Sequence, residues 1–210
     1  MRTATCWSKV SVYCFALISE VKLMHYTPIT LEVAFLVREE RLGRRSLAQR
    51  TGLSEMTVRL ELERLKKKGL IATDRRGAAL SVLGGERFSP LLTHIKQVAE
   101  PSLHSLTQDT VTQAALLSCP PVRPPWWYRD FVIREGGSAL ILIRYRPEGW
   151  CFSHNEEKVS DQNPHDERVI EDAFPLRREG DLLLIVSAPE RESAGLGLWR
   201  VITEVLSETP

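Results

Sequence analysis

Arginine grips phosphate and guanine through paired N–H donors, and this 210-residue chain sets arginines in three close groups, Arg44-Arg45, Arg59 and Arg75-Arg76. Between the first and second groups stands Ser54-Glu55-Met56-Thr57-Val58-Arg59. A serine in that position caps a helix, and the helix that it opens would present Glu55, Thr57 and Arg59 at its amino-terminal end. An exposed helix start of this kind enters a DNA major groove and meets base edges. Arg59 is placed to donate two hydrogen bonds to guanine, and Thr57 to meet a thymine methyl or a phosphate. Ser54, Arg44 and Arg45 suit phosphates, and Arg75 and Arg76 suit the backbone or the minor groove. Lys66, Lys67 and Lys68 fall at the far end of the same helix and read as a solvated face.

Charge supports this reading. The net charge is only +1, but residues 1–90 hold 16 Lys/Arg against 9 Asp/Glu, whereas residues 91–210 hold 12 against 18. A half that balances at +7 next to one at −6 suggests that the first half meets a polyanion, with counterion release and salt-dependent binding. Hydrophobic content of 43% and charged content of 26% are those of a globular protein. Cys6, Cys14, Cys119 and Cys151 are scattered, which predicts neither a zinc site nor a disulfide framework and fits a reducing cytoplasm. The apolar run at residues 10–18 is too short for a membrane span and lacks a small-residue cleavage site. It reads as an extra helix, or as residues ahead of a true start at Met24.

The elements that must hold the arginines follow from spacing. Thr30 is placed to cap a first helix from Leu31 to about Glu40, ended by Gly43. A second helix spans Ser46 to Thr51, with Leu47 and Ala48 inward, and Gly52 supplies a tight turn. The third helix runs from Glu55 to Lys68 with Val58, Leu62 and Leu65 as its apolar stripe. Leu70-Ile71-Ala72 and Ala79-Leu80-Ser81-Val82 read as two short strands around a basic tip, Asp74-Arg75-Arg76-Gly77. Helix, turn, helix and basic hairpin together make a winged helix-turn-helix. Leu80-Ser81-Val82-Leu83-Gly84 then looks like the Leu-Thr-x-x-Gly exit of such domains, with serine for threonine. Ser89-Pro90 reads as a new helix start, and Leu91, Leu92, Ile95, Val98, Ala99, Leu103 and Leu106 recur at helical steps, with a kink at Pro101. That pattern predicts a linker helix able to pair with its own copy.

Beyond it the chain reads as strand (Val111–Ser118), proline-rich connector (119–125), helix (Trp126–Glu135), buried strand (Ala139–Ile143), hairpin to Trp150-Cys151-Phe152, helix (Pro164–Ala173), buried strand (Asp181–Ser187) and closing helix (Leu196–Leu206). The expected fold class is α+β. It comprises an extension (1–24), a winged helix-turn-helix domain (25–88), a linker and dimerisation helix (89–107), and an α/β sandwich domain (108–210). No Walker loop, nucleophile triad or metal spacing stands out in the second half. The pair Cys151 and His154 reads as chance, and Trp126-Trp127-Tyr128 as a domain anchor. Ser187, and Ser193, Gly195 and Gly197 at a glycine-lightened helix start, are candidates for holding an anionic effector on bare backbone amides. The alternative is that the glycines let helix and sheet pack closely.

Residues 25–90 resemble the winged-helix domain of archaeal transcriptional regulators, and residues from about 111 to 207 resemble the carboxy-terminal domain that accompanies it in some of them. The second match rests on Tyr128-Arg129-Asp130-Phe131-Val132-Ile133-Arg134-Glu135-Gly136-Gly137 and the strand and hairpin that follow. Phe131 stands where the family has a small residue, and Gly137 where it has alanine. The resemblance implies architecture and a regulatory role, and no ligand. The expectation is a cytoplasmic, homodimeric regulator of double-stranded DNA without enzymatic activity, cofactor, metal or membrane partner, whose second domain senses a small effector or drives assembly. A small transferase or hydrolase governed by its winged helix, and a winged-helix module for protein or RNA, are the alternatives.

Overall fold

In the computed structural model, which describes residues 26–118 and 123–208, the first helix starts at a proline. Pro28 has no N–H to leave unpaired, and Thr27 caps helix α1 (Pro28–Leu36) by accepting from the Thr30 N–H. The expected cap, Thr30, is therefore one turn inside, buried, with its hydroxyl on Glu61 at 2.7 Å. Gly43 precedes helix α2 (Arg44–Thr51) instead of closing α1. Helix α3 (Glu55–Lys67) follows, then strands β1 (Ile71–Asp74) and β2 (Gly77–Leu80). The two strands pair antiparallel from Ile71–Leu80 to Asp74–Gly77.

The predicted linker helix is not there. Helix α4 (Val82–Leu92) starts at the Ser81 cap and runs through Ser89-Pro90, and strand β3 (Ile95–Ala99) follows. Residues 100–110 carry no helix. The leucine spacing arose from three separate pieces, each burying its own residues: Leu92, Ile95, then Leu103 and Leu106. Strand β3 belongs to the second domain's sheet, so that domain begins near residue 95 and not at 108.

That sheet contains β3, β4 (Val111–Leu117), β5 (Ala139–Arg146), β6 (Gly149–Phe152) and β7 (Leu182–Ala188), in the order β3-β4-β7-β5-β6, with every neighbour antiparallel. All seven residues of central β7 are buried, as its unbroken apolar run requires. One face is covered by α5 (Pro125–Arg134) and the closing helix α8 (Arg191–Glu208). The other is covered by the 100–110 segment with α6 (Val159–Gln162) and α7 (Pro164–Ala173), which enclose Trp150, Ile170 and Phe174. The expected α/β sandwich is therefore a three-layer one, and the fold class is α+β as expected.

The two domains share a core. A single apolar cluster runs from Leu47 and Val58 of the first to Leu184 and Val186 of the second. Helix α1 lies along α8, where Phe35 and Trp199 meet with ring centroids 5.3 Å apart. The turn between α2 and α3 also touches the second domain. A Cβ on Gly52 would stand 2.8 Å from the Glu192 amide nitrogen, and its φ of +78° is one that L side chains rarely adopt. Among the described residues, no helix is long and apolar enough to cross a membrane.

Candidate nucleic-acid interface

Helix α3 turns Val58, Glu61 and Leu65 inward, which leaves Met56, Arg59, Leu60 and Glu63 on its outer side. Ser54 caps it as expected, accepting from the Thr57 N–H at 3.1 Å, and the two hydroxyls lie 2.9 Å apart. Thr57 is thus partly engaged by its own cap. Arg59 is exposed and held by Glu63 one turn on, at 2.8 Å. Glu55 is exposed but faces Arg44 at 3.1 Å and Arg45 at 3.5 Å. Glu55, expected to meet a base, thus pairs in this structure with the two arginines expected to meet phosphates. Two residues that the sequence reading passed over, Met56 and Leu60, are each 59% exposed on the same face. Their displacement from the Val58–Leu62–Leu65 stripe was the available signal.

Arg44 and Arg45 occupy the first turn of α2, which has no acidic residue of its own. Cations at the positive end of a helix dipole repel it, so this placement costs free energy unless an anion sits nearby. Glu55 supplies one in the free protein. A DNA phosphate would satisfy the same two side chains together with the helix amides.

The wing is joined to this surface by hydrogen bonds. Leu42 and Ala78 exchange both backbone bonds, at 3.0 and 2.9 Å, which adds a short third rung to the hairpin. Gly77, with φ +130°, crosses so close to Leu42 and Gly43 that no side chain fits there. Asp74 accepts from the Arg76 N–H at 2.8 Å and pairs with Arg41 at 3.1 Å, leaving the exposed Arg75 and Arg76 at the tip. Ser81 closes the domain, donating to the Gly69 carbonyl and accepting from the Gly84 N–H. A Cβ on Gly84 would overlap the Leu70 carbonyl oxygen. The hairpin base, the start of α2 and the start of α3 are therefore adjacent, and Arg44, Arg45, Arg59, Arg75 and Arg76 are all exposed.

The candidate effector residues do not converge. Ser187 is buried, its hydroxyl 3.3 Å from that of Thr107 and its carbonyl accepting from the Ser138 N–H. Ser193 lies beside Gly136. A Cβ on Gly197 would contact Val132 and Val186, so this glycine brings α8 close to α5 and the sheet. Gly195 differs from these. Its Cβ position stands 3.4–3.7 Å from three acceptor oxygens, the Thr51 carbonyl, Gln113 Oε1 and Glu32 Oε1.

Glu32 is the least expected group at this junction. Only 4% exposed on α1, it has its carboxyl pushed up to about 8 by burial, which outweighs the Trp199 hydrogen bond and the nearby Arg191 charge. On the opposite face of the sheet Asp166, also buried, is held down at about 2. Burial would raise it, but hydrogen bonds from the His104, Leu106 and Ser105 amides and the Ser105 hydroxyl prevail. Among the described residues, no group of three or more His, Cys, Asp or Glu is arranged to hold a metal ion.

Residues 33–95 match the family described as the CggR N-terminal DNA binding domain, a stretch that ends on the first residue of β3. No curated protein matches the chain. Among solved structures, the hypothetical protein PH0730 from Pyrococcus horikoshii OT3 is similar with a TM-score of 0.68 and 22% identity, over 86% of this chain and 92% of that one. At that identity the likeness concerns the fold. The amino-terminal domain is a DNA-binding domain of the transcription-regulator kind, and DNA is its partner.

Proposed function

We propose that the chain is a cytoplasmic, non-enzymatic transcription regulator of the archaeal winged-helix type it resembles. It would bind duplex DNA as a homodimer, with a second domain that senses a small effector. The observation that carries this reading is the exposed strip made by the starts of α2 and α3 and the wing tip, where Arg44, Arg45, Arg59, Arg75 and Arg76 lie with none of them buried. Arg59 would read a base, released from Glu63. Met56 and Leu60 would meet thymine methyls. Arg44, Arg45 and Ser54 would take phosphates, and Arg75 and Arg76 the flanking backbone or minor groove. Two copies on inverted half-sites would double those contacts.

Footprinting and salt titration test the roles. Arg59→Ala should flatten base preference at one position by about 1–3 kcal/mol. Arg75→Ala with Arg76→Ala should weaken all duplexes alike and lower the salt slope by about 0.9 per lost phosphate contact. Unchanged binding in both variants rejects the assignment.

A further inference from the structure

Between the two domains lies a cavity of about 360 Å³, lined by Glu32, Phe35, Leu36 and Arg50 on one side and by Val98, Ala99, Glu100, Gln113, Arg191 and Trp199 on the other. We propose that this cavity binds a small organic amine, an ammonium group on a compact apolar body, and that Glu32 receives the ammonium. The regulatory part of this proposal rests on the DNA-binding reading above; the binding itself does not.

Size and walls suit a small molecule. Sites for such ligands have volumes of roughly 300–1,000 Å³ and are apolar with a few fixed polar groups. Phe35, Leu36, Val98, Ala99 and Trp199 supply the apolar lining. The sign of the ligand follows from the pairing of the charged groups. Arg191 of α8 is engaged by Glu100 and donates to the Gln49 carbonyl at 3.0 Å. Arg50 of α2 is paired with Glu40 at 2.6 Å. Gln113 of β4 donates to Glu100 at 3.0 Å, which leaves its carbonyl oxygen as the end near Gly195. Each cation in the lining thus has its anion, and among the described residues Glu32 has the Trp199 indole as its donor and no ion pair of its own. An anionic ligand would have to displace Glu100 or Glu40 from an arginine. An ammonium would supply the counter-charge that Glu32 lacks, beside acceptor oxygens from three elements.

The proton balance is simple. Near neutral pH Glu32 carries a proton in the free protein because burial disfavours its anion. When an ammonium enters, that proton leaves to solvent and a carboxylate–ammonium pair forms, so about one proton is released per ligand bound. The cavity's walls come from α1 and α2 on one side and from β3, β4 and α8 on the other. Filling it would fix the DNA-binding domain against the sheet domain.

Calorimetric titration of the full chain with phenethylamine, phenethyl alcohol and phenylacetate tests this, following the Trp199 indole N–H by NMR. Phenethylamine is expected to bind at least about tenfold tighter than either comparator, with a heat that varies with the buffer's ionisation enthalpy. Glu32→Gln, which keeps an acceptor for Trp199, should cut that preference to within about threefold. Ala99→Phe, which fills the cavity from β3, should abolish binding of all three. Tighter phenylacetate, no binding by any of the three, or a preference that survives Glu32→Gln overturns the proposal. Affinity for a mixed-sequence duplex at low salt is measured in the same samples. Duplex binding without amine selectivity sinks the pocket alone. Amine selectivity without duplex binding sinks the regulator reading alone, and selectivity that leaves duplex affinity unmoved removes the regulatory role.

Discussion

On the side of the sheet away from the DNA-binding domain, Asp166 collects three consecutive backbone N–H groups and a hydroxyl from residues 104–106. On the near side, Glu32 has a single indole donor and an arginine already committed elsewhere. Both carboxyls are buried. One lies far below the usual carboxylate range and the other far above it. Burial alone therefore does not decide the charge; the number of donors does. Where four donors meet one carboxylate, a strandless segment is fixed over the sheet. Where one donor meets it, next to a cavity, the group is free to change state.

At neutral pH the largest expected effect breaks the first region. Asp166→Ala leaves the His104, Ser105 and Leu106 amides without their partner and should cost about 3–5 kcal/mol. Thermal unfolding should show this as a fall of roughly 10 °C in midpoint. In the wild type the contribution is present above the ordinary pKa of 3.8 and is lost as pH falls toward about 2. A variant as acid-resistant and stable as the parent would show that the clamp is ornamental.

Glu32 has the opposite sign. Its folded state holds a proton more firmly than the unfolded chain, so stability is full below the ordinary value of 4.5 and declines as pH rises to about 8. Glu32→Gln, neutral throughout, should flatten that decline and exceed the parent by roughly 5 kcal/mol at alkaline pH. Urea unfolding across that range checks it, and parallel curves for the two proteins would refute the burial argument. Gly195→Ala should do least. Its Cβ finds ordinary contact distances to Thr51, Gln113 and Glu32. The helical gain over glycine and the crowding of three acceptors should then nearly cancel, leaving a change within about 0.5 kcal/mol. A loss several times larger would mean that the three oxygens lie closer around that point than described.

What was legible in the sequence was local. Ser54 caps the helix three residues before the N–H it accepts, Gly52 is itself the left-handed residue, and Asp74–Gly77 closes a hairpin on four residues. The matching helices and strands of the second domain were equally readable, because continuous apolar runs mark buried strands. The junction was not. Asp166 meets His104 across 62 positions, and Glu32 meets Trp199 from the other end of the chain. Neither carboxylate stands in a pattern. The 89–107 segment misled because leucines that serve a helix end, an edge strand and a sheet cover happen to share helical steps. Of the candidate site, the exposure of the arginines was legible, but the pairing of Glu55 with Arg44 and Arg45 depends on how α2 and α3 cross.

Helix α8 supports the DNA-binding domain. Gly52 passes so close to the Glu192 backbone that no side chain fits between them, and Phe35 lies against Trp199, so α8 completes the surface on which the first domain rests. A premature stop in α8 before Trp199 would leave every arginine of α2, α3 and the hairpin intact in sequence and yet uncover a greasy flank along α1. Such a shortened product would be sticky before it was inactive, and an amino-terminal fragment taken alone would carry the same exposed seam.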